Sequence, residues 1–188
     1  MFRRRPTLLP VPDPVLAAIR TVADFPAPGV AFKDLTPVLA DPALFHEALE
    51  RLASPWAAAG VTHIVGVEAR GFWFGPALAA HLGAGFVPAR KPGKLPTGPG
   101  SPGLQSIAYA LEYGTDTVEM LADALGPGTR VLVHDDVLAT GGTAAAVCDL
   151  VQSSGATLVG VSVVLEIAAL GGRGRLPPGV PVAAVLAV

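Results

Sequence analysis

The sequence predicts an α/β domain, residues 1–188, with a mostly parallel central sheet flanked by helices. Three observations lead there. The runs "HIVGVEA" (63–69), "RVLVHD" (130–135) and "TLVGVSVVLEI" (157–167) are apolar without alternation, as strands covered on both faces are. They alternate with stretches of helical spacing, the pattern of parallel strands joined by crossover helices. Finally, 51% of the residues are hydrophobic and only 15% charged, which suits a buried core and argues against disorder.

In chain order, residues 1–23 read as an arm and a helix. Arg3-Arg4-Arg5 is short and followed by Pro6, so it reads as a solvated arm. Pro6, Pro10, Pro12 and Pro14 interrupt any signal-peptide core. Helical spacing runs from Asp13 to Val22 and from Asp41 to Ala59, each behind an acidic start. The strand at 63–69 leads into a turn at Gly71 and a helix through Ala80, then a short strand "FVPAR" (86–90). Residues 92–106, "PGKLPTGPGSPGLQS", have almost nothing to bury and predict a long loop, which in a compact domain is usually functional. "TDTVEMLADAL" (115–125) opens on Thr-x-x-x-Glu, stops at Gly126 and predicts a helix. Strands at 130–135, 157–167 and 181–188 complete the sheet.

The balance excludes several classes. A net charge of −2 leaves no broad basic surface for nucleic acid. The longest apolar stretch, Ala156 to Leu170, is too short to span a bilayer and carries Glu166, so no membrane partner is expected. One cysteine, Cys148, forbids an internal disulfide or a multi-cysteine zinc site and reads as a packing residue. With no asparagine there is no glycosylation acceptor, and the expected location is cytoplasmic. "GPGSPG" (98–103) fits the dinucleotide pattern G-x-G-x-x-G but lacks the flanking strand and helix. His46, His63 and His81 show no metal-ligand spacing.

The informative stretch is "VLVHDDVLATGGTAAA" (131–146), where a strand meets Asp135 and Asp136, a glycine turn and a helix start. In open parallel sheets ligands bind at the carboxyl ends of strands. The first N–H groups of a helix are unpaired, glycines allow close approach, and Thr140 and Thr143 add hydroxyls: together, a phosphate cradle. The paired acids cannot hold phosphate, but they can accept hydrogen bonds from vicinal hydroxyls or from water on a magnesium ion. A sugar phosphate satisfies both halves; an ordinary strand-to-helix turn is the alternative.

This stretch resembles the phosphoribosyl-pyrophosphate motif of type I phosphoribosyltransferases. Four further segments, "DFPAPGVAFKDLTPVL" (24–39), "GVEARGFWFGPALA" (66–79), "RKPGKLP" (90–96) and "LEYGTDTVEM" (111–120), are similar to the adenine phosphoribosyltransferase family in order and spacing. The resemblance implies that family's fold, with a base-capping hood at 24–39 and a flexible catalytic loop at 92–114. It implies transfer of phosphoribosyl from phosphoribosyl pyrophosphate to adenine, with Mg2+ held through pyrophosphate and water rather than by protein ligands, and a homodimer. Residue by residue, the 5′-phosphate falls to Ala139, Thr140, Gly141, Gly142 and Thr143, with Val137 nearby, and the ribose hydroxyls to Asp135 and Asp136. Pyrophosphate falls to Arg70, Lys91 and Lys94, beside a Glu68–Ala69 bond expected to be cis. Phe32 would stack on adenine, the backbone of Ala31 and Lys33 would read its edge, and Glu112, with Tyr113, would close over the reaction and handle a proton.

Three departures stand out. His134 occupies a position that is usually aliphatic, and reads as a satisfied core histidine or a new contact. The stretch before "LEYG" is longer than expected, and Lys33 stands where some relatives have arginine. Two other readings compete: transfer to a different base, and a non-enzymatic sensor of phosphoribosyl pyrophosphate. The hood and loop segments argue against the first. Against the second stand the lack of room before Asp24 for a DNA-binding helix pair and the presence of Glu112.

Overall fold

The computed structural model describes residues 13–110 and 114–188, in two compact units, Met1–Ala48 and Leu49–Val188.

In the first unit, Asp13 caps α1 (Pro14–Ala18), its Oδ1 accepting from the N–H groups of Val15 and Leu16 at 3.0 and 3.2 Å. The helix expected to reach Val22 stops at Ala18. Beyond it, Arg20–Val22 form β1, paired antiparallel with β2 (Phe32–Asp34). Thr21 and Val22 are β-branched and prefer that ladder to another helical turn. Asp34 then starts α2 (Thr36–Ala40) by accepting from the Thr36 N–H at 2.9 Å.

The next helix, α3 (Pro42–Ala53), also ends short of its expected end at Ala59. Pro55 cannot continue a helix, and a 3-10 turn, Ser54–Trp56, replaces it. That turn buries Trp56 against Gly160, where any Cβ would collide with the indole.

The second unit is built on β3 (His63–Val67), α4 (Gly75–Leu82), β4 (Gly85–Ala89), β5 (Leu104–Ala110), β6 (Thr115–Leu121), β7 (Arg130–Leu138), α5 (Gly142–Ser153), β8 (Thr157–Glu166) and β9 (Val182–Ala187). Five strands form one all-parallel sheet in the order β4-β3-β7-β8-β9. Val65, Val131, Val133, Val161 and Val163 are buried with Val147 and Val151 of α5, and Phe74, before α4, meets the His134 ring at 6.5 Å. Helices thus cover the sheet, as the continuous apolar runs require.

Two expectations fail in the middle of the chain. Residues 115–125 are not a helix: β5 and β6 pair antiparallel, with Leu104 opposite Leu121 and Ala110 opposite Thr115. Thr115, Thr117 and Val118 are β-branched, and Val118 and Met120 alternate into the core. Nor is 92–106 all loop, because its last three residues begin β5, and half-buried Ile107 and Tyr109 alternate with exposed Ser106 and Ala108. The 92–114 segment therefore carries a strand. Backbone bonds between Arg90 and Glu119, 2.8 and 2.7 Å, tie this hairpin to the end of β4. The strand expected at 130–135 continues to Leu138, so both acids lie within it.

Candidate active site

The end of β7 presents the two acids on opposite faces. Asp136 is 2% exposed, and its Oδ2 lies 3.0 Å from Arg70 Nε. Asp135 is half-buried, and its Oδ1 accepts from the Asp136 N–H at 2.8 Å. Burial first, then the charge of Asp136, holds the Asp135 carboxyl well above the ordinary 3.8. Burial also raises Asp136, with Arg70 working against it.

Arg70 reaches this place because its 3-10 turn, Arg70–Phe72, packs on the β7 backbone. A Cβ on Gly71 would sit 2.8 Å from the His134 carbonyl oxygen, so only glycine fits. The Glu68–Ala69 peptide bond before the turn is cis. Glu68 anchors the other side, its carboxylate accepting from Arg90 Nε at 3.1 Å, Arg90 Nη2 at 3.2 Å and the Lys91 N–H at 2.9 Å. Burial pushes Glu68 up, but these donors outweigh it and leave it below its ordinary value.

After β7 the chain turns through Ala139 and Thr140 to Gly141, at φ 81°. A Cβ there would strike the Gly172 carbonyl, so this turn requires glycine twice over. No side chain caps α5, which leaves its first-turn N–H groups facing the turn. The groove along it, about 190 Å3, is lined by Arg70, Asp135, Val137, Ala139, Thr140, Gly141, Gly142 and Thr143 among others. A neighbouring cavity of about 280 Å3 shares Arg70, Asp135 and Thr143 and adds Glu68, Lys91, Tyr109, Asp116 and Asp136.

The second unit thus brings together Arg70, Lys91, both acids, Val137 and the whole 139–143 turn. Lys94 is exposed and lines neither cavity, although its carbonyl accepts from Arg90 Nη1 at 2.9 Å. In the first unit, the Phe32 ring lies edge-on to Phe25 at 5.1 Å, Ala31 is exposed, and Lys33 Nζ donates to Thr21 Oγ1 at 3.0 Å. Glu112 and Tyr113 lie outside the described residues.

Tyr109, Asp116, Glu68 and Arg90 escaped sequence reasoning as site residues. Asp116 pairs with Lys91 Nζ at 3.0 Å, and Tyr109, opposite it across the hairpin, hydrogen-bonds it at 3.3 Å. The alternation of Ile107 and Tyr109 in "LQSIAYA" was the available signal for the hairpin. His134 is fully buried, and of its two readings burial favours the core histidine, with the Ser162 backbone as its polar neighbour. Burial lowers it to about 4, against a smaller opposing influence of the Ser162 backbone.

Uncapped helix N–H groups, two carboxylates and a guanidinium lining adjoining cavities are the groups that a phosphorylated, hydroxyl-bearing ligand would require. Residues 44–178 match the phosphoribosyl transferase domain, and the chain belongs to that family. Among its relatives, an adenine phosphoribosyltransferase of Synechococcus sp. (strain JA-2-3B'a(2-13)) is 53% identical over 171 residues, 90% of this chain and 95% of the relative. The crystal structure of adenine phosphoribosyltransferase from Rhodothermus marinus is 52% identical with a TM-score of 0.87, covering 93% of this chain and 96% of that one. That from Saccharomyces cerevisiae, complexed with adenine and an imino-altritol bisphosphate, is 38% identical with a TM-score of 0.83, covering 92% and 96%.

Proposed function

We propose that this chain is an adenine phosphoribosyltransferase, which transfers phosphoribosyl from phosphoribosyl pyrophosphate to adenine and releases AMP and pyrophosphate in purine salvage. The observation that carries the reading is the pair of adjoining cavities that share Arg70, Asp135 and Thr143, one along the α5 N-terminus and the other lined by Asp136 and Lys91. The 5′-phosphate takes the 139–143 turn and the ribose hydroxyls donate to Asp135 and Asp136. Adenine N9 attacks the anomeric carbon as its bond to pyrophosphate oxygen breaks, through a transition state of oxocarbenium character. Catalysis is then positioning, together with stabilisation of the departing charge by Arg70 and the lysines.

The residues fit a magnesium ion carried in on pyrophosphate. Asp116, Asp135 and Asp136 line the larger cavity, with Asp136 Oδ2 held by Arg70 at 3.0 Å. Such groups accept from metal-bound water, and the ion supplies charge neutralisation for the leaving group. Phe32, Ala31 and Lys33 are proposed to hold and read adenine, and Lys94, Glu112 and Tyr113 to act from the 92–114 segment, with Glu112 taking the adenine proton. A cytoplasmic homodimer completes the proposal; the single cysteine, buried Cys148, needs no oxidising compartment.

The test mixes protein, magnesium and phosphoribosyl pyrophosphate with adenine, hypoxanthine or uracil and assays for nucleotide. AMP formation with a clear preference for adenine is expected. No product with any base would sink the enzyme, and product only with another base would reassign the substrate.

A further inference from the structure

The site contains an unbroken chain of polar contacts whose middle members, Tyr109 and Asp116, the reaction just described does not use. Thr143, in the first turn of α5, donates its hydroxyl proton to Tyr109 Oη at 3.3 Å. Tyr109 donates to Asp116 Oδ2 at 3.3 Å, and the same carboxylate oxygen holds Lys91 Nζ at 3.0 Å. The Thr117 N–H fixes the other Asp116 oxygen at 2.8 Å. Tyr109 and Asp116 are directly opposed in the β5–β6 ladder, and the Arg90–Glu119 bridge ties that hairpin to the residue before Lys91. Thr143 borders both cavities, whereas Lys91 borders only the larger one. The chain thus joins the phosphate turn to the cation expected at pyrophosphate.

We propose that Tyr109 and Asp116 are positioning residues that couple occupation of the phosphate turn to the placement of Lys91. The proposal rests on the reading of the cleft given above. A threonine hydroxyl carries one proton, so Thr143 donates either to Tyr109 or to a phosphate oxygen, not to both. With the Tyr109 proton kept on Asp116, a phosphate that takes the Thr143 proton detaches Tyr109 from α5. The hairpin then shifts with its Asp116–Lys91 pair, and the ammonium turns a proton toward the pyrophosphate side. Two ligands that bias one such element have reciprocal coupling, commonly about 5–150-fold in affinity.

Titration calorimetry with ribose 5-phosphate and magnesium pyrophosphate tests this without turnover. Pyrophosphate affinity is measured with and without saturating ribose 5-phosphate in the unmutated protein, in Tyr109→Phe and in Asp116→Asn. Tyr109→Phe keeps the ring that packs on the core and removes only the hydroxyl. The ratio of the two affinities is expected to become less favourable by about fivefold in each variant, to a similar value. Ribose 5-phosphate alone should bind Tyr109→Phe no more weakly than the unmutated protein, because Thr143 has lost a competitor. A merely structural tyrosine would alter stability or both affinities and leave the ratio unchanged. An unchanged ratio in folded Tyr109→Phe overturns the coupling while leaving the proposed function intact. Should that variant misfold, Asp116→Asn decides by the same ratio. Failure of both ligands to bind the unmutated protein would instead sink the reading of the cleft, and this inference with it.

Discussion

The two adjacent carboxylates carry opposite obligations to stability and function. Burial raises both, Asp135 most, so ionised Asp135 destabilises the ligand-free fold. A carboxyl whose folded value lies above its unfolded value, near 3.8, contributes fully below 3.8 and loses that contribution as pH rises through the folded value. Asp135→Asn should therefore raise the ligand-free Tm at pH 7, with the gain vanishing toward pH 3.8. Asp136→Asn should gain less, because it strips Arg70 of its partner at 3.0 Å. Each variant should still lose about 10–100-fold in kcat/KM, the scale of one hydrogen bond to a charged group. Unchanged kinetics in both would reduce the stretch to an ordinary turn. One residue upstream, His134 works the other way. Its folded value, about 4, lies below the ordinary 6.5, so stability is intact above pH 6.5 and is lost as pH falls toward 4. The slope is at most about 1.4 kcal/mol per pH unit for one proton. His134→Val removes the buried titrating ring and should flatten that slope in chemical denaturation between pH 4.5 and 7. An equally steep slope in the variant would assign the acid sensitivity elsewhere.

Elements were legible where one pattern sufficed and obscure where two competed. The strands expected at 63–69, 130–135 and 157–167, found at 63–67, 130–138 and 157–166, announced themselves because both faces are covered, which keeps their central runs apolar. By contrast β6 was masked by Thr115 and Glu119, whose spacing imitates a helix start although the Val118–Met120 alternation belongs to a strand. The glycine turn proposed to take phosphate was readable because its groups are contiguous from 139 to 143. Tyr109, Asp116 and the Glu68–Arg90 pair were not, since their partners meet only through strand pairing. What sequence did expose is the demand for glycine at 141. Gly141→Ala forces a Cβ into the Gly172 carbonyl at a φ of 81°. It should cost about 1–3 kcal/mol of stability and weaken ribose 5-phosphate disproportionately, because the turn's N–H groups move together. Calorimetric binding and thermal melts on the same sample check this; full phosphate affinity with a lowered Tm would make Gly141 a folding residue only.

At the scale of the whole molecule, the 51% apolar composition has two destinations. Part of it fills the doubly covered sheet, as the buried valines of β3, β7 and β8 demonstrate. The rest reaches the surface: Leu170 is 49% exposed, and Trp73, just past the Arg70 turn, is 36% exposed. Scattered apolar residues are normal on any protein, but an accessible tryptophan beside a binding turn is the residue type that anchors interfaces. The expected state is a dimer at micromolar concentration, measured by light scattering. Trp73→Glu should shift it to monomer, because a charge at a desolvated contact costs more than a small interface can return. Trp73 is not among the buried core residues, so circular dichroism should remain that of the unmutated protein. A monomeric unmutated protein with full activity would remove the dimer altogether. A Trp73→Glu protein that stays dimeric would move the interface away from the Arg70 turn, and with it any contribution of one subunit to its partner's cleft at that turn.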